Sequence, residues 1–321
     1  MKKKILITGA TGYLGNFLAE YFGKKGVAVV GLGRERQPVA NIPNYKLRKC
    51  DVRDKAKMLK IFAEEKPTHV IHLAYLMDPL HDKKAEYDID VVGSQNVLEV
   101  ANETKSVKQL VHFSSASIYG AHPDNKDWIK ENDELRPADY TYAVYKKLLE
   151  EWYEKFNKRD DLKLFTFRMC TAVGPSYYKA GGVVSSFMKA PISILVGKED
   201  FKAQFIHEDD VKALTEMVLN DAEIEGIYNL APDSYATMSD LAKTYNKRLI
   251  RIPVWMLRGI FWILWNLKIA RLTPAMANLM AYSIVVDPKK LKKKFNYKFK
   301  YTTKEAFMDA AIKRGLWKIK K

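Results

Sequence analysis

The feature that most constrains this chain is a glycine loop close to its N-terminus. The short apolar run Lys4-Ile5-Leu6-Ile7-Thr8 enters Gly9-Ala10-Thr11-Gly12-Tyr13-Leu14-Gly15, and an apolar-periodic stretch over Tyr13–Lys25 follows. A strand, glycines at three-residue spacing and then a helix is the context in which such a loop holds a dinucleotide. Gly9 permits the tight turn, Gly12 lets backbone approach a pyrophosphate, and Gly15 permits close packing of helix on strand. The anion then meets the N–H groups and the positive end of the helix dipole. Thr11, Tyr13 and Leu14 complete the expected contact surface.

The rest of the first half repeats this alternation. Strands are expected at Lys4–Thr8, Val27–Leu32, Tyr45–Lys49, His69–Leu73, Gln109–Ser114 and Leu162–Arg168. Helices are expected at Tyr13–Lys25, Lys55–Glu65, Lys83–Thr104 and Asp139–Lys158. Such alternation argues for an α/β fold, a doubly wound parallel Rossmann sheet covered on both faces. Ligands of these sheets bind beyond the carboxyl ends of the strands. After Gly174-Pro175 the regularity breaks down, so residues 1–174 read as the dinucleotide-binding domain. Residues 175–321 read mainly as a smaller C-terminal substrate lobe, with some elements returning to the first domain.

The second strand end bears on which dinucleotide is taken. An acid there would hold a ribose hydroxyl, whereas arginine accommodates a 2′-phosphate. The chain reads Gly31-Leu32-Gly33-Arg34-Glu35-Arg36. Arg34, with Arg36, is expected to clamp the phosphate of NADP through charge-assisted hydrogen bonds. Glu35 keeps NAD open as the alternative.

Chemistry enters with Leu110-Val111-His112-Phe113-Ser114-Ser115, which ends a strand, and Tyr142-Ala143-Val144-Tyr145-Lys146, which lies in a helical stretch. The i, i+4 spacing puts Tyr142 and Lys146 on one helical face. A free tyrosine, with a pKa of about 10, is too weakly acidic to exchange protons near neutrality. A cation beside it favours the phenolate. A strand-end serine at the substrate oxygen would complete an alcohol–carbonyl site working with a nicotinamide.

Together these motifs resemble the extended short-chain dehydrogenase/reductases of the NAD-dependent epimerase/dehydratase group. The resemblance includes Thr8–Gly15, Asp51-Val52-Arg53-Asp54, Ile71-His72-Leu73-Ala74 and Ser114-Ser115-Ala116-Ser117-Ile118-Tyr119-Gly120. It continues through Tyr142 and Lys146, Arg168 to Gly174-Pro175, and Phe205-Ile206-His207-Glu208-Asp209-Asp210-Val211. It implies that Asp51 contacts the adenine amino group, with Val52 beside it. Leu73 and Ala74, followed by Tyr75, would line the cofactor channel. Ser115 matches the catalytic Ser/Thr, with Ser114 the neighbouring alternative on the cofactor side. Tyr142 matches the general acid/base, and Lys146 its partner and ribose ligand.

The chain also departs from that pattern. Asp90 stands where the family often has Asn, Tyr145 where Ser precedes the lysine, and Thr171 where Asn precedes Gly-Pro. Sugar-nucleotide dehydratases carry Asp-Glu after the catalytic Ser/Thr, and here those positions are Ala116 and Ser117. Dehydration therefore lacks its acid–base pair. The expected reaction is hydride transfer at a hydroxyl or carbonyl carbon of a nucleotide sugar, with Lys179, Lys189 and Lys198 as candidate pyrophosphate ligands. The alternative is an NADP-dependent reductase or dehydrogenase of an apolar alcohol or ketone, of hydroxysteroid or dihydroflavonol type.

The apolar run Ile252–Lys268 motivates that alternative. It is short for a membrane span and carries Arg258. A buried helix of the substrate lobe is the first expectation. An apolar lid at the substrate entrance, or an interfacial helix, is the second. The net charge of +16 gathers in part at Lys289-Lys290-Leu291-Lys292-Lys293-Lys294, whose interleaving reads as a solvated helix face. No zinc finger, RNA-recognition signature or arginine-rich arm accompanies it, so nucleic acid is not an expected partner. Contact with a membrane surface is a secondary reading, and a homodimer is compatible with the family. Cys50 and Cys170 cannot build a disulfide framework, no Cys/His spacing suits a metal, and the N-terminal run is too short for a signal peptide. Those features suggest a cytoplasmic protein without metal.

Overall fold

The computed structural model describes residues 3–34, 41–176 and 183–317. Among the described residues, six strands and five α-helices lie between Lys4 and Met169. The strands are β1 (Lys4–Thr8), β2 (Ala28–Gly33), β3 (Tyr45–Lys49), β4 (His69–His72), β5 (Gln109–Ser115) and β6 (Lys163–Met169). The helices are α1 (Tyr13–Lys24), α2 (Lys55–Glu65), α3 (Lys83–Tyr87), α4 (Gly93–Glu103) and α5 (Thr141–Lys155). With Gly226–Leu230 the strands form one seven-stranded sheet in the order Gly226–Leu230, β6, β5, β4, β1, β2, β3. Strand order reverses at β1, which pairs in parallel with β2 on one side and β4 on the other. The glycine loop leaves the carboxyl end of this reversing strand, where such sheets bind ligands.

Burial explains why the strands read as continuous apolar runs rather than as alternations. Leu6, Val30, Val70 and Leu110 pack with Met58 and Phe62 of α2, Val97 and Leu98 of α4, and Leu149 of α5. Ile5 and Ile7, which alternate with Leu6, are equally closed to water. Both faces of the sheet are therefore covered, as a parallel sheet requires. Helix α1 turns Leu18, Ala19 and Phe22 inward, and its Lys25 and Tyr21 side meets Glu216 of helix Glu208–Asn220.

The chain forms two compact units, each assembled from several segments. The first comprises Met1–Ser114, Tyr145–Phe167 and Lys212–Ile227, and the second Ser115–Val144, Arg168–Val211 and Tyr228–Lys321. In the second unit three two-stranded pairings recur: Thr171–Val173 with Phe205–His207, Ile192–Val196 with Arg248–Ile252, and Lys202–Ala203 with Ala236–Thr237. Its core gathers Val173, Phe205, Leu241, Tyr245 and Phe307.

Two expectations about helices need correction. The continuous helix expected over Lys83–Thr104 is α3, then a π-helical turn over Asp88–Val92, then α4. The Asp90 carboxylate accepts the Leu76 N–H at 2.8 Å, and the Ser94 hydroxyl donates to the Asp90 carbonyl at 2.6 Å. The Ser94 bond competes with the helix ladder at the Asp90 carbonyl, and such back-bonding to i−4 distorts helices locally. Gly93 then lies so close to Val52 that a Cβ there would be 2.5 Å from its methyl. Helix α5 starts at Thr141 rather than Asp139: Ala138 has a φ of +52°, and the first intrahelical bond runs from Val144 N–H to the Tyr140 carbonyl at 3.0 Å. The basic run behaves as expected: in helix Lys289–Phe295 Leu291 is buried, while Lys289, Lys290, Lys293 and Lys294 face water.

Candidate active site

The glycine loop takes a shape that only small residues permit. Gly9 has a φ of +68°, and a Cβ there would lie 2.8 Å from the backbone of Leu73 and Ala74. Gly15 is tighter still, with its would-be Cβ 2.2 Å from the Gly9 carbonyl oxygen. Gly12 donates its N–H to that same oxygen at 2.9 Å and begins α1 with no side chain capping it. The opening turn of a helix carries N–H groups without intrahelical partners. Here the capping position is a glycine with no side chain to cover them, which suits a pyrophosphate. Thr11 lies against Gly33, whose would-be Cβ is 3.2 Å from the Thr11 methyl.

A buried polar relay holds the carboxyl end of β4 beside this loop. The Ser94 hydroxyl gives its one proton to the Asp90 carbonyl, so it accepts from His72 Nε2 at 2.8 Å. His72 Nδ1 must then accept from the Thr8 hydroxyl at 2.7 Å. The Thr8 oxygen accepts in turn from the N–H groups of Leu73 and Ala74, each at 3.2 Å. The imidazole is thus neutral and protonated on Nε2. Burial, aided by the positive charge of Lys146, pushes its pKa down to about 3. This relay was not anticipated. Its signal was a pair of histidines directly after apolar strand pairs, His72 after Val70-Ile71 and His112 after Leu110-Val111.

Lys146 is buried on α5, one turn after Tyr142. Its ammonium donates to the Phe113 carbonyl at 2.7 Å and stands 3.7 Å above the centre of the Tyr75 ring. Burial pulls its pKa down, and the charges of Asp90 and Glu150 work against that. Burial pushes the Asp90 carboxyl up, while the Leu76 N–H and Lys146 oppose the rise. A buried lysine with a buried carboxyl close enough to influence it is the electrostatic pattern of functional sites.

The other expected residues divide. Ser114 and Ser115 end β5 with opposite orientations, as successive strand residues must. The Ser114 hydroxyl is buried and finds no hydrogen-bond partner among the described residues. The Ser115 hydroxyl meets that of Ser117 at 2.9 Å and accepts the Ser117 N–H at 3.1 Å, capping the turn Ala116–Tyr119. Tyr142 is half-buried, its ring 5.7 Å from that of Tyr140. Val52 is buried, and its carbonyl accepts from Asn96. Asp51 is already gripped by Arg53, which donates from Nε at 3.0 Å and Nη2 at 2.8 Å. That bond holds its carboxyl below the usual range, and the charge of Arg34 adds to the effect. Arg34 itself is exposed just past β2. Glu35, Arg36 and Lys179 lie outside the described residues, whereas Lys189 and Lys198 are exposed in the second unit.

The pattern of the NAD dependent epimerase/dehydratase family matches residues 5–231. The chain belongs to this family. As a member it is an enzyme of the NAD-dependent epimerase/dehydratase type, with the parallel Rossmann sheet described above. An uncharacterized Mycobacterium tuberculosis protein is 22% identical to this family member over 98% of the chain and 85% of its own length. UDP-glucuronate 4-epimerase 1 of Arabidopsis thaliana is 27% identical over 64% of the chain, which spans 52% of that protein. The Bordetella bronchiseptica enzyme WbmG, solved with NAD and UDP, superposes with a TM-score of 0.78 at 20% identity, covering 97% of this chain and 93% of that one.

Proposed function

We propose that the chain transfers hydride at a hydroxyl- or carbonyl-bearing carbon of a nucleotide sugar. Tyr142 is the general acid/base, Lys146 its electrostatic partner, and Ser115 the hydroxyl that orients the reacting oxygen. The observation that carries this reading is Lys146: a buried ammonium, one turn from Tyr142, held at 2.7 Å by the Phe113 carbonyl. Burying a charge without a task is costly, and a cation fixed near a phenol favours the phenolate. The Tyr142 oxygen takes the proton of the substrate hydroxyl during oxidation and returns it to the carbonyl oxygen during reduction. A nicotinamide dinucleotide, held by the glycine loop and the opening turn of α1, supplies the hydride acceptor and donor.

Epimerisation is favoured over 4,6-dehydration by Ala116 and Ser117. The turn Ala116–Tyr119 reads Ala-Ser-Ile-Tyr and carries no carboxylate to remove or deliver the second proton. The nucleotide-sugar class rests on the relatives, whose names include a UDP-glucuronate epimerase and an enzyme solved with UDP. A preference for NADP rests on Arg34, exposed where a 2′-phosphate would meet the end of β2. The reducing cytoplasm suits Cys50 and Cys170, which are both buried and free.

The test is a panel of UDP- and dTDP-sugars with either dinucleotide, followed by product analysis and by absorbance of the reduced cofactor. Turnover of at least one nucleotide sugar is expected. Silence on the whole panel, with turnover of a steroid or flavonol ketone, would overturn the substrate class. In the same assay Arg34→Ala should raise the KM for NADP roughly tenfold, about the loss of one charge-assisted phosphate contact, and leave that for NAD nearly unchanged. An unchanged NADP KM removes the clamp.

A further inference from the structure

The apolar helix Val254–Asn266 is not the buried core helix expected from its composition. Leu257 and Phe261 turn inward against Val196, Ala277 and Ala281. The outward side is apolar as well. Trp255 is 74% exposed, Trp262 59% and Ile263 50%, and Ile260 lies beside them. Positions 255, 259, 262 and 263 recur at helical spacing and form one stripe, which ends at the polar Asn266. Gly259, with nothing within 4 Å of a would-be Cβ, leaves a flat gap between the tryptophans. Leu267 and Ile269 extend the same exposure beyond the helix end. Single exposed apolar residues need no explanation, but a contiguous patch of this kind marks an interaction surface.

The segment that carries the patch has fixed charge of one sign. Between Asp240 and Asp287 the chain contains seven lysines and arginines and no Asp or Glu. Arg258 reaches Asp139 at 3.3 Å, and Arg251 and Lys247 donate to backbone carbonyls. Lys268 and Arg271, which follow the helix, are exposed and make no ion pair among the described residues. A second copy docking by twofold symmetry would set this basic segment against itself, and like charges facing each other weaken association.

We propose that the Trp255–Trp262–Ile263 face lies in the plane of an anionic lipid surface. Its 13 residues extend about 20 Å, short of the roughly 30 Å hydrocarbon core, and no helix among the described residues is long and apolar enough to cross a membrane. An in-plane helix buries only its apolar side. Tryptophans favour the headgroup boundary, and Lys268 and Arg271 would meet acidic headgroups there. The charge argument selects an anionic lipid surface over a neutral one. This inference stands apart from the reaction assigned above and holds or fails without it.

The test uses the full-length protein with sedimenting vesicles of phosphatidylcholine alone, and with about 30% phosphatidylglycerol added. Binding is expected to the acidic vesicles, with much weaker binding to the neutral ones and a loss on raising salt. Trp255→Ser with Trp262→Ser should reduce partitioning roughly tenfold or more, and Lys268→Glu with Arg271→Glu several-fold. Thermal melting of each variant, compared with the parent, separates this loss from unfolding. Absence of binding to acidic vesicles overturns the proposal, as does binding that neither variant weakens. So does a concentration-dependent dimer, seen by light scattering, that the tryptophan variant dissociates while vesicle binding persists.

Discussion

Replacing Tyr142 by Phe is expected to lower kcat by about 10²–10⁴-fold, the range for removing a general acid/base. At roughly 1.4 kcal/mol per decade this is about 3–5 kcal/mol of lost transition-state stabilisation. The substitution removes one oxygen and keeps the ring. Tyr142 is half-buried, with the Tyr140 ring 5.7 Å away, so the packing of α5 should survive. The glycine loop is built from other residues, so dinucleotide affinity, measured by isothermal titration, should change by less than about twofold. A loss in kcat with unchanged cofactor affinity is the signature of a group acting on the proton. Full activity in Tyr142→Phe would remove this residue from the chemistry.

The second large effect is expected at Gly15. A Cβ at this position would lie 2.2 Å from the Gly9 carbonyl oxygen and 2.8 Å from the Ala10 Cα. Both neighbours are backbone, so no side chain can rotate away. Relief requires α1 to move off the loop, which displaces the helix N-terminus from the anion it would hold. Gly15→Val should therefore cost about 3 kcal/mol or more of stability, at the upper end of overpacking effects. Dinucleotide affinity should fall by about 100-fold or more, since backbone donors at a helix N-terminus act only in position. Gly259→Ala is the control. Nothing lies within 4 Å of its would-be Cβ, and alanine favours helix over glycine by about 1 kcal/mol. That variant should melt at or above the parent temperature. If Gly15→Val binds dinucleotide normally, the loop is not the cofactor site.

The legible parts of this protein are those governed by contacts close in sequence. A run such as Ile5-Leu6-Ile7 before glycines at three-residue spacing leaves few local conformations, because strand pleat, turn and helix start are each set by neighbouring residues. The boundaries of β1, β3 and α2 follow from such patterns. Tyr142 and Lys146 could be placed on one helical face for the same reason, since helical spacing is a local property. The π-helical turn at Asp88–Val92 was illegible because its polar partners include Leu76, in a loop before α3. The relay from Thr8 through His72 to Ser94 spans β1, β4 and α4, and no sequence period links these three positions.

The apolar stretch around Trp262 shows the same limit from the other direction. Its composition permits burial on every side, and periodicity cannot choose which side when all sides are apolar. The local order of strand, glycine loop and helix was determined by the sequence itself, as were the spacing of Tyr142 and Lys146 and the run without acids between Asp240 and Asp287. Tertiary structure decided that Lys146 is buried beside the Phe113 carbonyl, that Arg53 grips Asp51, and that Trp255 and Trp262 face water. The first and last of these depend on which distant segments reach each side chain, because burial and long-range hydrogen bonding are properties of the packed chain; the Arg53–Asp51 bond is local, but its geometry follows from the turn between them.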